Sequence, residues 1–389
     1  MRLDYSFKNA DCAELILFSF LLLFCFQPAQ AQKVNRDTLN RQALSQLIET
    51  SKELYYKDQE FRRLSSVFQQ LKSDCTTNIN PYTTNNDTIR LAFRLLWEDF
   101  ALPQDIENTK RLIKITKKYG FPGMKRLGHD IPVFLVFVHT PKEYEGRVRK
   151  LIEKEYKAGR ISKYGRDYVI WNLNGRGGSL PNSSHSINSR SGVDILRDNL
   201  IYALTQLSSS DLEKELHNNV QIKQNLSREE LIADVLRIYV NDQKYRRMAG
   251  VFRRIINKCK GVKINPYNSD DAETRLAYWL VREDLIEKQD LKNTKQLIAL
   301  TKQYGFPSMK RLGTDIPIFM VFAHTPYIYK YSHAVRKLIK REYQADRISK
   351  FARDYILWHL DGQRTGVPPD IPDTINHRTD IEIFRAALK

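Results

Sequence analysis

Two histidines carry the strongest chemical possibility in this chain. His139 and His324 each close a six-residue apolar run and stand before Thr-Pro. An imidazole in that setting can act as a general base near neutral pH or as a ligand. The alternative is a buried, neutral His whose two nitrogens are satisfied by backbone or by a Tyr. A zinc site does not follow, because no second His or acidic residue stands at helical ligand spacing on the same segment. Asp58 with Arg62, and Asp242 with Arg246, are four residues apart and can pair along one helix face. If instead they face His139 and His324, Arg can bind a carboxylate or phosphate while Asp orients the imidazole. Lys125 with Arg126, and Lys310 with Arg311, precede expected helix starts. There the exposed N–H groups and the helix dipole would add to the cations to bind an anion, unless Asp130 and Asp315 take those N–H groups as caps. No nucleophile elbow, HExxH, P-loop or dinucleotide fingerprint appears, so no metal or cofactor is implied.

The elements around these residues come in two sets. Tyr119-Gly-Phe-Pro-Gly-Met-Lys-Arg-Leu-Gly-His-Asp-Ile-Pro-Val-Phe-Leu-Val-Phe-Val-His-Thr-Pro141 returns as residues 304–326 with 18 of 23 positions identical. The flanking signals repeat in the same order, from Asp58-Gln-Glu-Phe-Arg-Arg63 and Asp242-Gln-Lys-Tyr-Arg-Arg247 to Ile187-Asn-Ser-Arg190 and Ile375-Asn-His-Arg378. Residues 1–31 are therefore set apart as an export signal, 32–203 as a first module, 204–226 as a connection and 227–389 as a second module.

Within the first copy, helical periodicity is expected from Asp37 to about Leu71. A loop at Asn80-Pro81-Tyr82 follows, then an amphipathic helix from Asp87 to Phe100 with Ile89, Ala92, Phe93, Leu96 and Trp97 on one face. Another helix is expected from about Asn108 to Tyr119, with Gly120 as a left-handed cap and Pro122 barring continuation. The run 133–138 is rich enough in β-branched and aromatic residues to be a strand, but the capping signals favour a buried helix starting near Asp130 and Pro132. Charged and mixed helices are expected over residues 141–156 and 162–173. Ser227 and Glu230 form a capping box for the first helix of the second copy. The fold class that follows is all-α, two tandem homologous helical domains with irregular Gly/Ser/Asn-rich loops.

The chain has 389 residues, 42% of them hydrophobic, which is enough for two ordinary domains and far too apolar for disorder. Leu15 to Phe26 is an apolar run of twelve, too short to span a bilayer, followed by a small-residue cleavage site at Ala29-Gln-Ala31. This pattern points to export to a periplasmic or extracellular space. Losing residues 1–31 removes two Lys/Arg and three Asp/Glu, so the formal charge of +18 becomes about +19. Export turns that basic excess away from nucleic acid and toward an anionic glycan, a lipid head group or an acidic envelope protein. A diffusely solvated basic surface is the alternative. Cys75 and Cys259 occupy nearly equivalent places in the two copies and can be bridged or free.

The order of signals resembles a bacterial family known as domain of unknown function 6624. The residues that carry the resemblance are Asp58-Gln-x-x-Arg62, Asn108, Gly120-Phe-Pro122, Leu127-Gly128, His139 and the Val193-Asp194 to Arg197 segment. The second copy matches at Asp242, Arg246, Asn293, Gly305-Phe-Pro307, Leu312-Gly313, His324 and Arg385. Where the family tends to show Asp-Arg after the His helix, this chain has Trp171-Asn172 and Trp358-His359. Its Tyr-Gly-Thr-Gln turn is represented only by Gly177-Gly178 and by Gly362-Gln-Arg-Thr-Gly366. The resemblance implies the same fold in both copies, with an activity that those departures put in doubt. The leading expectation is a non-enzymatic tandem helical binding protein for an anionic or cell-envelope partner; the alternative is a hydrolase-like enzyme with one His-centred pocket per copy.

Overall fold

The computed structural model describes residues 41–73, 80–128, 131–177, 179, 181, 191–208, 223–260, 265–326, 329–362 and 378–389. All regular structure among them is helical. Cys75, Asp130 and most of the Gly/Ser/Asn-rich loops fall outside the described residues, as do the side chains of Lys125 and Cys259.

Each copy opens with a long helix, α1 (Arg41–Ser73) in the first and α9 (Arg228–Lys260) in the second. Ser227 and Glu230 cap α9 reciprocally: the Glu230 N–H donates to Ser227 Oγ at 3.2 Å and the Ser227 N–H to Glu230 Oε2 at 2.8 Å. A second helix, α2 (Asp87–Leu96), passes through a π turn at Trp97–Ala101 straight into α3 (Leu102–Tyr119). The separate helices expected around Phe100 and Asn108 are therefore one continuous rod. The second copy does the same with α10 (Ala272–Leu280), a π turn at Val281–Glu287 and α11 (Lys288–Tyr304). Pro103 is not the cause, since Lys288 holds the equivalent place in a rod with the same π turn. The extra residue in the turn rotates the apolar stripe, and Trp97, expected on the buried face, is instead 46% exposed.

The rod ends at a glycine in both copies. Gly120 has φ 76 and ψ 165, and Gly305 has φ 77 and ψ 165. That is not the compact left-handed cap expected but an extended positive-φ turn, which an L side chain rarely adopts. A Cβ on Gly120 would also meet the Arg160 side chain at 2.7 Å. A one-turn helix follows, α4 (Met124–Leu127) or α12 (Met309–Leu312), closed by Gly128 or Gly313 in the left-handed region. The apolar runs are helical, α5 (Phe134–Val138) and α13 (Phe319–Ala323), so the β-rich composition yields to tertiary burial of Phe134, Val136 and Phe137. Neither helix has a side-chain cap, and Asp315, expected to cap, instead accepts from Arg378 at 3.4 Å.

Helices α6 (Glu145–Lys157) and α7 (Lys163–Leu173) complete the first set, and α14 (Tyr329–Gln344) and α15 (Lys350–Leu360) the second. Ser162 and Ser349 cap α7 and α15. The closing helices are α8 (Gly192–Ser208) and α16 (Asp380–Ala387). Helix α8 runs five residues past Ala203, where the first module was expected to end.

These closing helices cross over. Helix α8 packs on α1 and on α10 of the other copy, and α16 packs on α9 and on α2. The main apolar core accordingly draws Phe61, Phe68, Phe93 and Leu196 together with Tyr239, Phe252, Tyr278 and Phe384. A smaller core, containing Leu54, Phe121, Phe137, Ile152 and Val169, belongs to the first copy alone. Phe68 and Phe252, equivalent residues of the two copies, stack at 3.8 Å between ring centroids.

The π turns receive the other copy's long helix. Lys244 reaches Asp99 at 2.7 Å and the Tyr245 hydroxyl donates to the same carboxylate at 2.5 Å. On the opposite side Glu60, which stands where the second copy has Lys244, faces Asp284, and Lys288 pairs with Asp284. Burial first, and then the Asp284 charge, push the Glu60 carboxyl well above the ordinary Glu range.

Candidate functional site

The long helices bring the aspartates to the histidines. Asp58 lies mid-way along α1 and His139 is the C-terminal cap of α5; their side chains meet with Nδ1 3.0 and 3.1 Å from the two carboxylate oxygens. In the second copy His324 Nδ1 stands 3.1 and 2.9 Å from those of Asp242. Helix α5 packs on α1 and α13 on α9, which brings residue 58 or 242 to the end of the short apolar helix.

Burial makes the pairing asymmetric. The Asp58 and Asp242 side chains are 0% exposed, whereas the imidazoles of His139 and His324 keep 22% and 17% of their surface. A carboxylate that deep is costly unless its lone pairs are used. Here they accept from the imidazole and from the neighbouring amide, Gln59 Nε2 at 2.7 Å and Gln243 Nε2 at 2.7 Å. Burial pushes Asp58 upward, but the charge that His139 carries when protonated, that of Arg62 and the hydrogen bonds from His139 and Gln59 outweigh it and hold the carboxyl below its ordinary value. Asp242 is lowered in the same way, burial being outweighed chiefly by His324. An ionised aspartate accepting from Nδ1 fixes the neutral imidazole as the Nδ1–H tautomer, which leaves the lone pair on Nε2. Neither Nε2 has a hydrogen-bond partner among the described residues.

The arginines face the same cluster, but not as simple pairs along a surface helix. Arg62 donates from Nη2 to both oxygens of Asp105, at 2.9 and 3.0 Å, and from Nη1 to the Asp58 carbonyl at 2.6 Å; its approach to the Asp58 carboxylate is longer, 3.4 Å. Arg246 reaches only one oxygen of Asp290, leaving Asp290 Oδ1 and its own Nε buried without a partner. Burial raises Asp105, against the pull of Arg62. Burial and then the Asp242 charge, against the pull of Arg246, raise Asp290 to about 8. Beside them Gln104 and Gln289 each donate to an asparagine, Asn108 or Asn293, at 2.8 Å.

The Lys-Arg pairs are placed elsewhere. Arg126 and Arg311 sit inside the one-turn helices and turn back onto the carbonyls of Phe121 and Phe306, at 3.2 and 3.4 Å; Lys310 is exposed. The first of those turns is held by Glu155, which accepts from the Phe121 N–H at 2.8 Å and from Arg160 at 2.5 and 2.9 Å. Glu342 repeats this with Phe306 and Arg347 at 2.8, 2.6 and 3.1 Å.

Asp105 and Asp290 were not singled out from the sequence, nor were Glu155 and Glu342. The repeat held the signal, since Gln-Asp-x-x-Asn-Thr-Lys recurs at 104–110 and 289–295, and Glu and Arg recur five apart at 155/160 and 342/347. Among the described residues no group of three or more His, Cys, Asp or Glu is arranged to hold a metal ion, and no helix is long and apolar enough to cross a membrane.

No family model, curated protein or solved structure matches the chain.

Proposed function

We propose that each copy carries a hydrolase-like acid–base site in which His139 or His324 moves the proton at Nε2. One observation supports this reading above the others: a wholly buried aspartate grips Nδ1 of a partly exposed imidazole, and the arrangement occurs twice. The aspartate sets the tautomer and stabilises the imidazolium that forms when Nε2 takes a proton. The hydroxyls of Thr140 and Thr325, next to each His, donate to the carbonyls of Phe137 and Phe322, at 2.8 and 2.9 Å. A water activated by Nε2 is therefore the nucleophile in this account. Arg62 and Arg246 hold the carboxylates that surround the dyad and position it.

The test is hydrolysis of a panel of chromogenic carboxylic and phosphoric esters by the wild-type chain and by His139→Asn/His324→Asn. Loss of a general base lowers kcat by about 10²–10⁴-fold. Equal rates in the two proteins, or no turnover of any member of the panel by the wild type, would count against the proposal.

A second reading rests on charge. An excess of +18, with the export signal expected at residues 1–31, fits a secreted or periplasmic protein whose tandem copies engage an anionic glycan, lipid head group or acidic envelope protein. Two linked sites would then add avidity. The order of motifs, which resembles that of the family of unknown function, supplies no reaction for either reading.

A further inference from the structure

At the seam between the copies lies a cleft of about 410 Å³ that shares no residue with the Asp–His sites. It is lined by α2, by Tyr82 ahead of it and by Trp97 and Glu98 after it, and α16 of the second copy contributes Arg385. Tyr82 and Trp97 line it and are 39% and 46% exposed, two large aromatic faces turned to solvent. Around them stand Arg90, Arg94 and Arg385, tied to two carboxylates. Asp87 accepts from Arg90 and, at 3.3 Å, from Arg385; Glu98 accepts from Arg94 at 2.7 Å. Three cations against two anions leave one net positive charge.

The equivalent place in the second copy shows what this set looks like when closed. Arg94 and Trp97 are exchanged there for Trp279 and Arg282. The exchange lets Arg282 lie over the Trp279 ring at 5.1 Å, while Tyr267 packs edge-on against it at 5.3 Å. Tyr267 and Trp279 are thus half-buried in protein contacts, whereas Trp97, and Tyr82 despite its edge contact to Phe93 at 5.9 Å, stay exposed.

We propose that the cleft binds an acidic sugar, a hexuronate unit of a glycan, with the pyranose ring on Trp97, the more exposed of the two rings, and its carboxylate on the arginine cluster. An aromatic face offers the apolar C–H side of a pyranose a flat partner, and Asp87 and Glu98 can accept from its hydroxyls. Guanidinium groups favour a planar carboxylate. The single net charge matches one carboxylate per sugar; a nucleoside di- or triphosphate would bring several negative charges into a cleft that already contains two carboxylates. This inference rests on the anionic-partner reading and narrows it to one place and one ligand class.

The experiment is a tryptophan-fluorescence titration of the full chain with a short oligohexuronate, its carboxyl-reduced neutral counterpart, and ADP. Saturable binding of the oligohexuronate is expected, at least tenfold tighter than either of the others. Trp97→Ala and Arg385→Ala should each weaken it tenfold or more, as followed by calorimetry, while Trp279→Ala stays within threefold of wild type. Unchanged far-ultraviolet circular dichroism in each variant separates loss of the ligand from loss of the fold. Equal binding of the neutral sugar, tighter binding of ADP, or no oligohexuronate binding would overturn the proposal. So would oligohexuronate affinity that is insensitive to Trp97→Ala, which would return the anionic-partner reading to the general basic surface without touching the Asp–His sites.

Discussion

The two copies build the same dyad and then surround it differently. In the first, Arg62 makes a fork onto both oxygens of Asp105 and a bond to the Asp58 carbonyl. In the second, Arg246 makes one contact to Asp290, and a buried oxygen and a buried nitrogen are left over. The position facing the dyad from the following helix differs too. Asn172 donates to the Tyr168 carbonyl at 2.9 Å and accepts from Arg176 at 3.2 Å. Its counterpart His359 stands 6.4 Å from the His324 ring and 4.6 Å from Tyr355; burial first, and then the His324 charge, lower its pKa to about 4. The first site is electrostatically complete, while the second keeps a carboxyl that can hold a proton near neutral pH and a second imidazole held neutral. The difference teaches that the Asp–His contact is the common element and that the arginine–aspartate shell is the part free to vary.

The largest effect should come from removing the buried anion. Asp58→Ala leaves the His139 imidazole and the Gln59 amide without their partner, and loss of one member of such a buried pair costs about 3–5 kcal/mol. Urea denaturation followed by circular dichroism measures it, and Asp242→Ala should fall in the same range. A cost under about 1 kcal/mol at either site, the level of an exposed ion pair, would show that the pairing is not what holds the helices together.

Arg62→Met and Arg246→Met should separate the copies. The first removes both hydrogen bonds that Asp105 accepts from Arg62, and we expect a loss of about 3 kcal/mol or more. The second should cost about 1–2 kcal/mol at pH 6, because Asp290, already raised to about 8, can take a proton and become a neutral hydrogen-bonding group. Equal losses would erase the distinction between the two shells.

A smaller effect is expected from pH. Glu60 and Asp290 both have folded-state values above their ordinary ones, so the folded chain binds protons that the unfolded chain releases. Their contribution to stability is present below the unfolded values near pH 4 and is lost as pH rises, for Asp290 through about 8. Asp290→Asn and Glu60→Gln should each flatten the fall in melting temperature between pH 5 and pH 9. If the wild type and both variants show the same fall, the raised carboxyls are not the source.

Much of this arrangement was legible in the chain. The capping box of Ser227 and Glu230 follows from a short-range rule, whereas the helix at 134–138 forms without the side-chain cap that argued for it. The pairing of Asp58 with His139 stood as one of two open alternatives, since a sequence cannot show which face of α1 meets the end of α5. What could not be seen was non-local. The π turns gave no compositional warning and carried Trp97 out of the core. The crossing of α8 and α16 depends on packing between copies, and the Lys244–Asp99 contact on a partner 145 positions away. The arginine of each Asp-x-x-x-Arg motif was legible as an ion-pair former. Its true partner, Asp105 or Asp290, lies on another helix and was marked only by recurrence in both copies.

The central claim is that each aspartate holds its histidine by Nδ1 and leaves Nε2 to do the chemistry. Nitrogen-15 NMR of the histidine side chains tests this most directly, with His139 and His324 assigned from single substitutions. The account predicts that the neutral form of both carries its proton on Nδ1, with Nε2 bare, and that Asp58→Asn or Asp242→Asn alters the balance only for the histidine of its own copy. A neutral form protonated at Nε2 in the wild type would contradict it.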